Sequence, residues 1–260
     1  MYRVYAKSAK TANFGGKRSN KAITVRKGWN RIGYLSTINL PIAQAMSDYT
    51  VLGSEGDVLK SQDGFSMLSR NSSGELTWKG TLQYLEVGHG YMLKRNAAST
   101  ESFIYPLYYD NNRYSGSAAL APEYRNHTAT TMNIVAQISD AEVCDGDSLV
   151  TYDGARRCGA AAITEDGLFF LNIGGDEKTS GQNLFFCIER DGELVAATQS
   201  PLSYQADAVL GTPEEPTQIS FVKSDRYADG YWYTLDGIRL QKKPRRTGLY
   251  IHNDKIEILK

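Results

Sequence analysis

The sequence predicts a mainly β protein: a small β-rich domain with one short helix, then an antiparallel immunoglobulin-like β-sandwich, then a short C-terminal β-meander. First, 17 Tyr and 24 Gly against 7 Pro favour strands and turns, because aromatic rings pack on pleated surfaces and glycine adopts positive φ. Second, short apolar or alternating runs recur between Gly, Asn and Asp turn signals. Third, one stretch has helical spacing. A composition of 41% hydrophobic and 22% charged residues excludes wholesale disorder.

The first predicted domain covers residues 1–109. Its strand-like runs are AITVRKGWNRIGYL, DVLKSQ, FSMLSR, ELTWKGTLQYL, GYMLKR and SFIYPLYY, separated by EGD, QDG, SSGE and GHG. The helix is predicted at NLPIAQAMSDY. There Asn39 is expected to cap the helix and Pro41 to lie in its first turn. One helix face carries Ile42, Ala45, Met46 and Tyr49.

A linker is predicted at residues 110–122, DNNRYSGSAALAP, because this stretch is polar, small and rich in turn residues. The predicted sandwich covers residues 123–215, with runs TTMNIVAQIS, SLVTYD, RCGAAAIT, GLFFLNIG, QNLFFCIER and ELVAATQS. Asp153-Gly154 and Asp191-Gly192 are expected to be hairpin turns. The predicted tail meander covers residues 216–260.

The net charge of zero conceals a strong pattern. Residues 1–47 carry nine Lys or Arg and no acid, and residues 216–260 carry nine basic and five acidic residues, which leaves 11 basic and 24 acidic residues between them (29 − 9 − 9 and 29 − 5). A basic N-terminus is compatible with a nucleic-acid arm or a transit peptide. We prefer a solvated edge strand preceded by a leader, because lysines on edge strands prevent aggregation. No nucleic-acid partner is therefore expected.

No apolar run approaches the ~20 residues that span a bilayer, so no transmembrane segment is predicted. The start, MYRVYAKSAKTANF, lacks the apolar core of a signal peptide. An export signal, if the protein is exported, is expected upstream of this chain.

Cys144, Cys158 and Cys187 allow at most one disulfide, and three buried free thiols are an equal alternative. His89, His127 and His252 lie in unrelated contexts, and no zinc spacing, nucleophile elbow or phosphate-binding loop is present in the sequence. We therefore predict no enzyme, no cofactor and no metal site, and the sequence identifies no catalytic or ligand-binding residue.

A short internal repeat with the spacing G-D-x-L-x-x-x-D-G occurs twice, as GDVLKSQDG at 56–64 and GDSLVTYDG at 146–154. Paired carboxylates for calcium are one interpretation. The preferred one is a strand entering a DG hairpin, because the two aspartates of each copy are six residues apart across a strand.

The aromatic residues are the better functional lead, since flat rings with polar tips suit sugars. The candidates are Trp29, Trp78, Trp232, Tyr105, Tyr108, Tyr109 and Tyr114. Packing in the core is nevertheless the preferred interpretation for these rings, and the alternation of Leu76, Trp78 and Leu82 supports it for Trp78.

The tail YTLDGIRLQKKPRRTGLYIHNDKIEILK resembles the C-terminal ends of Bacteroidetes secreted and cell-surface proteins. Those ends read Y-x-L-x-G-R-x-L, a Lys/Pro linker, G-[IVL]-Y-I, a turn and K-[IV]-x-[IV]-x-K. Ile238 stands where Arg is common, and Asp254 replaces a frequent Gly. The matching positions are Tyr233, Leu235, Gly237, Leu240, Pro244, Gly248, Leu249, Tyr250, Ile251, Asn253, Lys255, Ile256, Ile258 and Lys260.

The preceding sequence is similar to the β-modules found upstream of such tails, in MNIVA, DGARRCG, GLFFL and VLGTPEEP, and in GWNRIGYL, GDVLKSQDGF and GHGYMLK. The resemblance implies an exported envelope protein whose tail is a type IX-like C-terminal sorting or attachment element and contacts that secretion machinery. The alternative for the tail is a plain three-stranded sheet that closes on the preceding sandwich. We thus expect a non-enzymatic cell-surface or secreted module, for structure or for adhesion to a glycan or host protein. The alternative is an accessory C-terminal region of a larger secreted protease or glycoside hydrolase.

Overall fold

The structure, a computed structural model, describes residues 8, 21–36, 38–106, 129–176, 180–198, 201–222, 227–253 and 255–260. The predicted linker at 110–122 lies outside the described residues. The described part of the chain is mainly β, as expected, with several antiparallel sheets and two short helices. It divides into two compact units, Met1–Ser61 with Phe65–Leu120, and Gln62–Gly64 with Ala121–Lys260.

The first unit is built on a five-stranded antiparallel sheet of order β2-β8-β4-β5-β6, with two further strand pairs, β1-β9 and β3-β7. Its strands are β1 (Ile23–Val25), β2 (Gly28–Gly33), β3 (Leu40–Pro41), β4 (Val58–Lys60), β5 (Phe65–Arg70), β6 (Leu76–Gly80), β7 (Tyr84–Leu85), β8 (Gly90–Arg95) and β9 (Glu101–Phe103). One apolar core contains the side chains of Tyr34, Tyr49, Leu59, Leu93 and Phe103.

The predicted single helix is two short helices, α1 (Ile42–Ala45) and α2 (Ser47–Leu52), which are separated at Met46. The predicted apolar face is confirmed, since Ile42, Ala45, Met46 and Tyr49 are all buried. Asn39 does not cap the helix, because its side-chain oxygen accepts the Val87 amide proton instead, at 2.9 Å. Pro41 occupies the N-cap position, one residue before the first turn.

The second unit contains a four-stranded and a six-stranded sheet. In the four-stranded sheet β10 pairs antiparallel with β13 and parallel with β17 and β18. The six-stranded sheet has the order β12-β11-β14-β15-β19, and β16 also pairs with β14. The strands are β10 (Thr130–Ile138), β11 (Ser148–Asp153), β12 (Arg156–Ala162), β13 (Phe169–Gly175), β14 (Asn183–Arg190), β15 (Glu193–Thr198), β16 (Leu202–Ser203), β17 (Val209–Leu210), β18 (Thr217–Ile219) and β19 (Phe221–Val222).

The core between these two sheets is made by alternate residues of each strand. Ile134 and Leu171 from the four-stranded sheet pack with Leu149, Phe186 and Ile188 from the six-stranded sheet, and all are buried. This packing of sheet on sheet is sandwich-like.

The tail forms a third layer on the opposite face of the six-stranded sheet. It is a four-stranded antiparallel sheet, the C-terminal sheet, of order β21-β20-β22-β23. Its strands are β20 (Trp232–Thr234), β21 (Arg239–Leu240), β22 (Gly248–His252) and β23 (Lys255–Leu259). Leu249 and Ile251 pack against Val150, Tyr152 and Cys187. The tail is predicted as three strands and has four, because the DG turn at Asp236-Gly237 divides its first run into β20 and β21.

Candidate functional site

The C-terminal sheet has an apolar inner face and a polar, aromatic outer face. Along β22 the side chains alternate, so burial of Leu249 and Ile251 directs Tyr250 and His252 outward. The register places Trp232 of β20 directly beside His252. The sequence folds this way because the apolar residues recur with period two.

Trp232 is held in place by two neighbouring side chains. The His252 ring stacks on its indole at 4.2 Å between ring centroids, with an angle of 5° between the planes. The Lys243 Nζ lies over the same indole, 5.1 Å from the centroid. An ammonium group over an indole ring is attracted by the negative ring face. Lys243 is thus positioned above the outer face before any ligand arrives.

His252 also pairs with Glu257 across the β22–β23 hairpin. Its Nδ1 lies 3.1 Å from a carboxylate oxygen of Glu257, which stands opposite Tyr250 in the register. A hydrogen bond between Nδ1 and a carboxylate fixes the orientation of the imidazole ring. The outer face therefore displays both an anchored carboxylate, that of Glu257, and the anchored ammonium group of Lys243.

A basic loop, residues 241–247 (QKKPRRT), borders this face between β21 and β22. Lys242, Lys243, Arg245 and Arg246 are exposed. None of the four makes an ion pair with a residue that the structure describes. The Tyr250 hydroxyl donates a hydrogen bond to the Arg246 carbonyl oxygen at 3.1 Å and ties the loop to the sheet.

We call Trp232, Tyr250, His252, Glu257 and the basic loop the outer-face site. Its chemistry is that of an anion receptor: four exposed cations attract negative charge, and guanidinium groups can bind carboxylate or sulfate through two parallel hydrogen bonds. Glu257 adds an acceptor for hydroxyl groups. The basic loop was visible in the sequence as a run of cations, but its neighbours on the outer face required the strand register.

A second aromatic group lies at the end of the same sheet, towards β21. The Arg239 guanidinium lies 3.4 Å from the centroid of the Tyr231 ring, which is 42% exposed. The Tyr233 hydroxyl donates a hydrogen bond to the Asp229 carboxylate. That bond lowers the pKa of Asp229 and raises the pKa of Tyr233. Tyr233 lies on the buried inner face of the sheet and Trp232 on the outer face, so this group is separate from the outer-face site.

The other predicted aromatic residues have structural contacts. Trp29 is half-buried, with the Nζ atoms of Lys60 and Lys94 at 4.5 and 6.0 Å from its centroid. Trp78 packs against the first core, and its indole N–H donates to Thr50 Oγ1 at 3.0 Å. Tyr105 is buried, edge to face with Tyr34 and Phe103. Tyr108, Tyr109 and Tyr114 lie outside the described residues.

The two described histidines each pair with a glutamate, which the sequence reading missed. His89 Nδ1 lies 2.9 Å from Glu86 on an exposed turn, and His252 pairs with Glu257. His127 lies outside the described residues. Within the described ranges, no group of three or more His, Cys, Asp or Glu side chains is arranged to hold a metal ion.

The three cysteines are free thiols. Cys158 belongs to the core between the two sheets, and Cys187 lies under the C-terminal sheet, so their side chains are on opposite faces of the six-stranded sheet. Burial raises the pKa of both thiols to about 12. Cys144 is half-buried. Thiols with raised pKa values are poor nucleophiles, which favours the structural alternative for Cys158 and Cys187.

The short internal repeat at 56–64 and 146–154 forms a turn in each copy rather than a calcium loop. In the first copy the Asp57 carboxylate accepts hydrogen bonds from the Ser54 amide (2.9 Å), the Tyr49 hydroxyl (2.7 Å) and the Asn96 amide (2.7 Å). Asp57 is buried and its oxygens are directed inward.

The second copy closes in the same way. The Asp147 carboxylate accepts a hydrogen bond from the Cys144 amide at 2.8 Å and two hydrogen bonds of 2.8 Å from the Arg190 guanidinium. The hydrogen bonds from Arg190 lower the pKa of Asp147. In both copies the aspartate fixes a turn at the start of a strand, and neither carboxylate faces an open ligand site.

Comparisons with protein-family models, with curated proteins and with solved structures gave no match. Among the described residues, neither helix has the length and apolar character needed to cross a bilayer. We therefore infer the function of this chain from the chemistry of the outer-face site.

Proposed function

We propose that this chain is a non-enzymatic binding or structural module of a bacterial cell surface or a secreted protein, with adhesion to a glycan or a host protein as its role. The observation that carries the proposal is the outer-face site, in which one exposed cation, Lys243, lies over the immobilised Trp232 ring and three more, Lys242, Arg245 and Arg246, belong to the same loop. A receptor gains affinity when its groups are held in place before binding, because less conformational entropy is lost.

The scaffold supports this role. The inner face of the C-terminal sheet is packed on the sandwich through Leu249 and Ile251, so the outer face is displayed by three stacked layers of strands. Trp232, Tyr250, His252 and Glu257 are on strands, and strands hold side chains more accurately than loops do; the basic loop is tied to this frame through Lys243 and the Tyr250 hydroxyl. An adhesion module needs this kind of rigid display and no reactive centre.

We infer further that the second unit is an immunoglobulin-like sandwich. In that fold the second and fifth strands pair in one sheet, while the third, sixth and seventh form the other. Here β10 pairs with β13, and β11, β14 and β15 are neighbours in the second sheet. Folds of this kind host many functions, so the assignment supports an extracellular scaffold and does not choose a ligand.

The location is proposed from the tail. Most of the residues that resemble the C-terminal ends of exported Bacteroidetes proteins lie in the C-terminal sheet, including Tyr233, Gly248, Tyr250 and Ile258. Type IX-like sorting or attachment is a second proposed role of this sheet, and its edge strand β23 would serve it by pairing with a strand of the secretion machinery.

The test is an immunoblot of the source organism, with antiserum raised against this chain, on cytosol, envelope and medium. We expect the band in the envelope or the medium. A band much larger than 28.8 kDa there would favour the alternative, an accessory region of a larger secreted protease or glycoside hydrolase. A band confined to the cytosol would refute the surface proposal.

A further inference from the structure

We propose that the outer-face site binds an anionic polysaccharide, a chain of sugars that carry carboxylate or sulfate groups. This inference rests on the proposed function and specifies its ligand class. Lys243 and the guanidinium groups of Arg245 and Arg246 would take the negative groups, and Glu257 would accept sugar hydroxyls.

Charge complementarity is the first argument. Lys242, Lys243, Arg245 and Arg246 lie within five consecutive residues, and no described carboxylate neutralises them. Pro244 between the two pairs restricts the loop, because its φ is fixed by the ring. The middle of the chain, with 11 basic and 24 acidic residues at positions 48–215, carries the opposite charge. A polyanion is thus attracted to this end of the sequence, as it is to the basic residues before position 48, and repelled by the middle; the control variant below separates the two basic ends.

The aromatic contacts distinguish a polysaccharide from a single-stranded nucleic acid. Proteins that bind single-stranded nucleic acid present free aromatic faces on which successive bases stack. The Trp232 indole has the His252 ring stacked on it at 4.2 Å, and the Lys243 ammonium group lies over it. The ring therefore positions a cation rather than offering a free face, which suits a carboxylate or a sulfate.

The mixed charges also distinguish the ligand from a flat anionic membrane. Glu257 is fixed on the outer face by His252, and it would be pressed against lipid phosphates if the face lay on a bilayer. Like charges brought together across an interface oppose binding. A single flexible polysaccharide chain can follow the basic loop and direct its hydroxyl groups to Glu257.

The experiment measures binding of the full chain to three polysaccharides by isothermal titration calorimetry. The probes are dextran sulfate, alginate, which is a polyuronate, and neutral dextran as the uncharged control. We expect binding to dextran sulfate or alginate and not to dextran. Raising NaCl from about 50 mM to about 500 mM should weaken the binding, since salt screens exposed charges.

Two matched variants locate the site. The loop variant carries Lys242→Gln, Lys243→Gln, Arg245→Gln and Arg246→Gln. The control variant removes four exposed cations from the first unit, by Lys21→Gln, Arg26→Gln, Lys27→Gln and Arg31→Gln. Both lose four positive charges. We expect roughly 30-fold weaker binding for the loop variant, from about 0.5 kcal/mol per exposed ion pair, and a change of less than about threefold for the control.

Several results would overturn the proposal. The first is absence of binding to both polyanions, and the second is an equal loss of affinity in the two variants. The third is loop-dependent binding to a thymidine oligonucleotide, or to vesicles of phosphatidylcholine with phosphatidylglycerol, that is tighter than the binding to either polyanion. If the immunoblot finds the protein in the envelope or medium while both polyanions fail to bind, the ligand class is wrong and the surface role stands. A cytosolic protein that binds dextran sulfate through the loop would refute the surface role and leave the site.

Discussion

Replacing Ile251 by alanine should make the C-terminal sheet open more often without unfolding the rest of the second unit. Ile251 is 4% exposed and packs in the cluster that joins this sheet to the six-stranded sheet. Truncation of a buried isoleucine to alanine costs 2–5 kcal/mol, and we take about 3 kcal/mol for this site. At 1.4 kcal/mol per factor of ten, the sheet should open roughly 100 times more often than in the parent protein.

The two buried cysteines report this opening separately. Cys187 lies beneath the C-terminal sheet, and Cys158 lies in the core on the other face of the six-stranded sheet. Burial raises the pKa of both thiols to about 12 and closes them to reagents. In Ile251→Ala, alkylation of Cys187 by N-ethylmaleimide should accelerate by roughly 100-fold at constant pH, while that of Cys158 stays slow. Peptide mass spectrometry at successive times distinguishes the two residues.

The control is Tyr250→Ala, which removes a larger side chain from the outer face of the same strand. This variant loses only the hydrogen bond to the Arg246 carbonyl oxygen and a half-exposed ring, so the rate of Cys187 labelling should rise by less than about tenfold. Equal acceleration at Cys158 and Cys187 in Ile251→Ala would mean that the sheets unfold as one unit. No acceleration at Cys187 would mean that Ile251 does not hold the C-terminal sheet. Either result would refute the reasoning.

Other variants test the turns. Asp147→Asn should lower the free energy of unfolding in urea by about 2 kcal/mol, because hydrogen bonds to a charged group are lost. The control is Asp145→Asn in the same turn. Asp145 is exposed, so this change should alter the free energy of unfolding by less than about 0.5 kcal/mol. The folded state lowers the pKa of Asp147 below 3.8. The stabilisation is therefore fully present above the pKa of this aspartate in the unfolded chain, and it is lost as pH falls through the lower pKa of the folded state. The unfolding free energies of the parent and of Asp147→Asn should thus approach each other below about pH 4. A difference between them that stays constant with pH would contradict this. Gly211→Ala should destabilise more than Gly154→Ala in thermal unfolding: both positions have positive φ, but only at Gly211 would the added Cβ clash with a backbone carbonyl oxygen, that of Val135. Equal losses of about 1–2 kcal/mol would show that backbone conformation alone decides.

The hairpin turns illustrate how far the sequence can be read. The Asp191-Gly192 turn is confirmed, since Arg190 and Glu193 pair on either side of it. At the other turn the prediction was wrong by one residue. Asp153 pairs with Arg156, so the two-residue loop is Gly154-Ala155. Local turn chemistry predicts that a hairpin forms, but its register depends on the packing of the strands on both sides.

The third layer shows what the alternation of residues could not reveal. Alternating strands predict one buried and one solvated face, yet β11 is buried from Leu149 to Tyr152 because the C-terminal sheet covers its second face. The continuous run LVTY was a signal of burial on both faces. Which element covers that face depends on contacts some 100 residues apart, and periodicity contains no such information.

The candidate site was predictable in its charge and not in its geometry. The run KKPRR is evident in the sequence, and Trp232 was among the aromatic candidates. The contacts of Trp232 with His252 and Lys243 depend on strand register and on the path of the loop. Helix spacing at residues 42–49 was stronger evidence, because the contacts of a helix are local.

Fluorine NMR of the chain labelled with 5-fluorotryptophan tests the central claim most directly. The protein has three tryptophans: Trp29 and Trp78 in the first unit and Trp232 at the outer-face site. Titration with alginate or dextran sulfate should shift the Trp232 resonance and leave the other two unchanged, and neutral dextran should shift none. A shift of Trp29 or Trp78 in place of Trp232, or no shift with either polyanion, would contradict the assignment of binding to this surface.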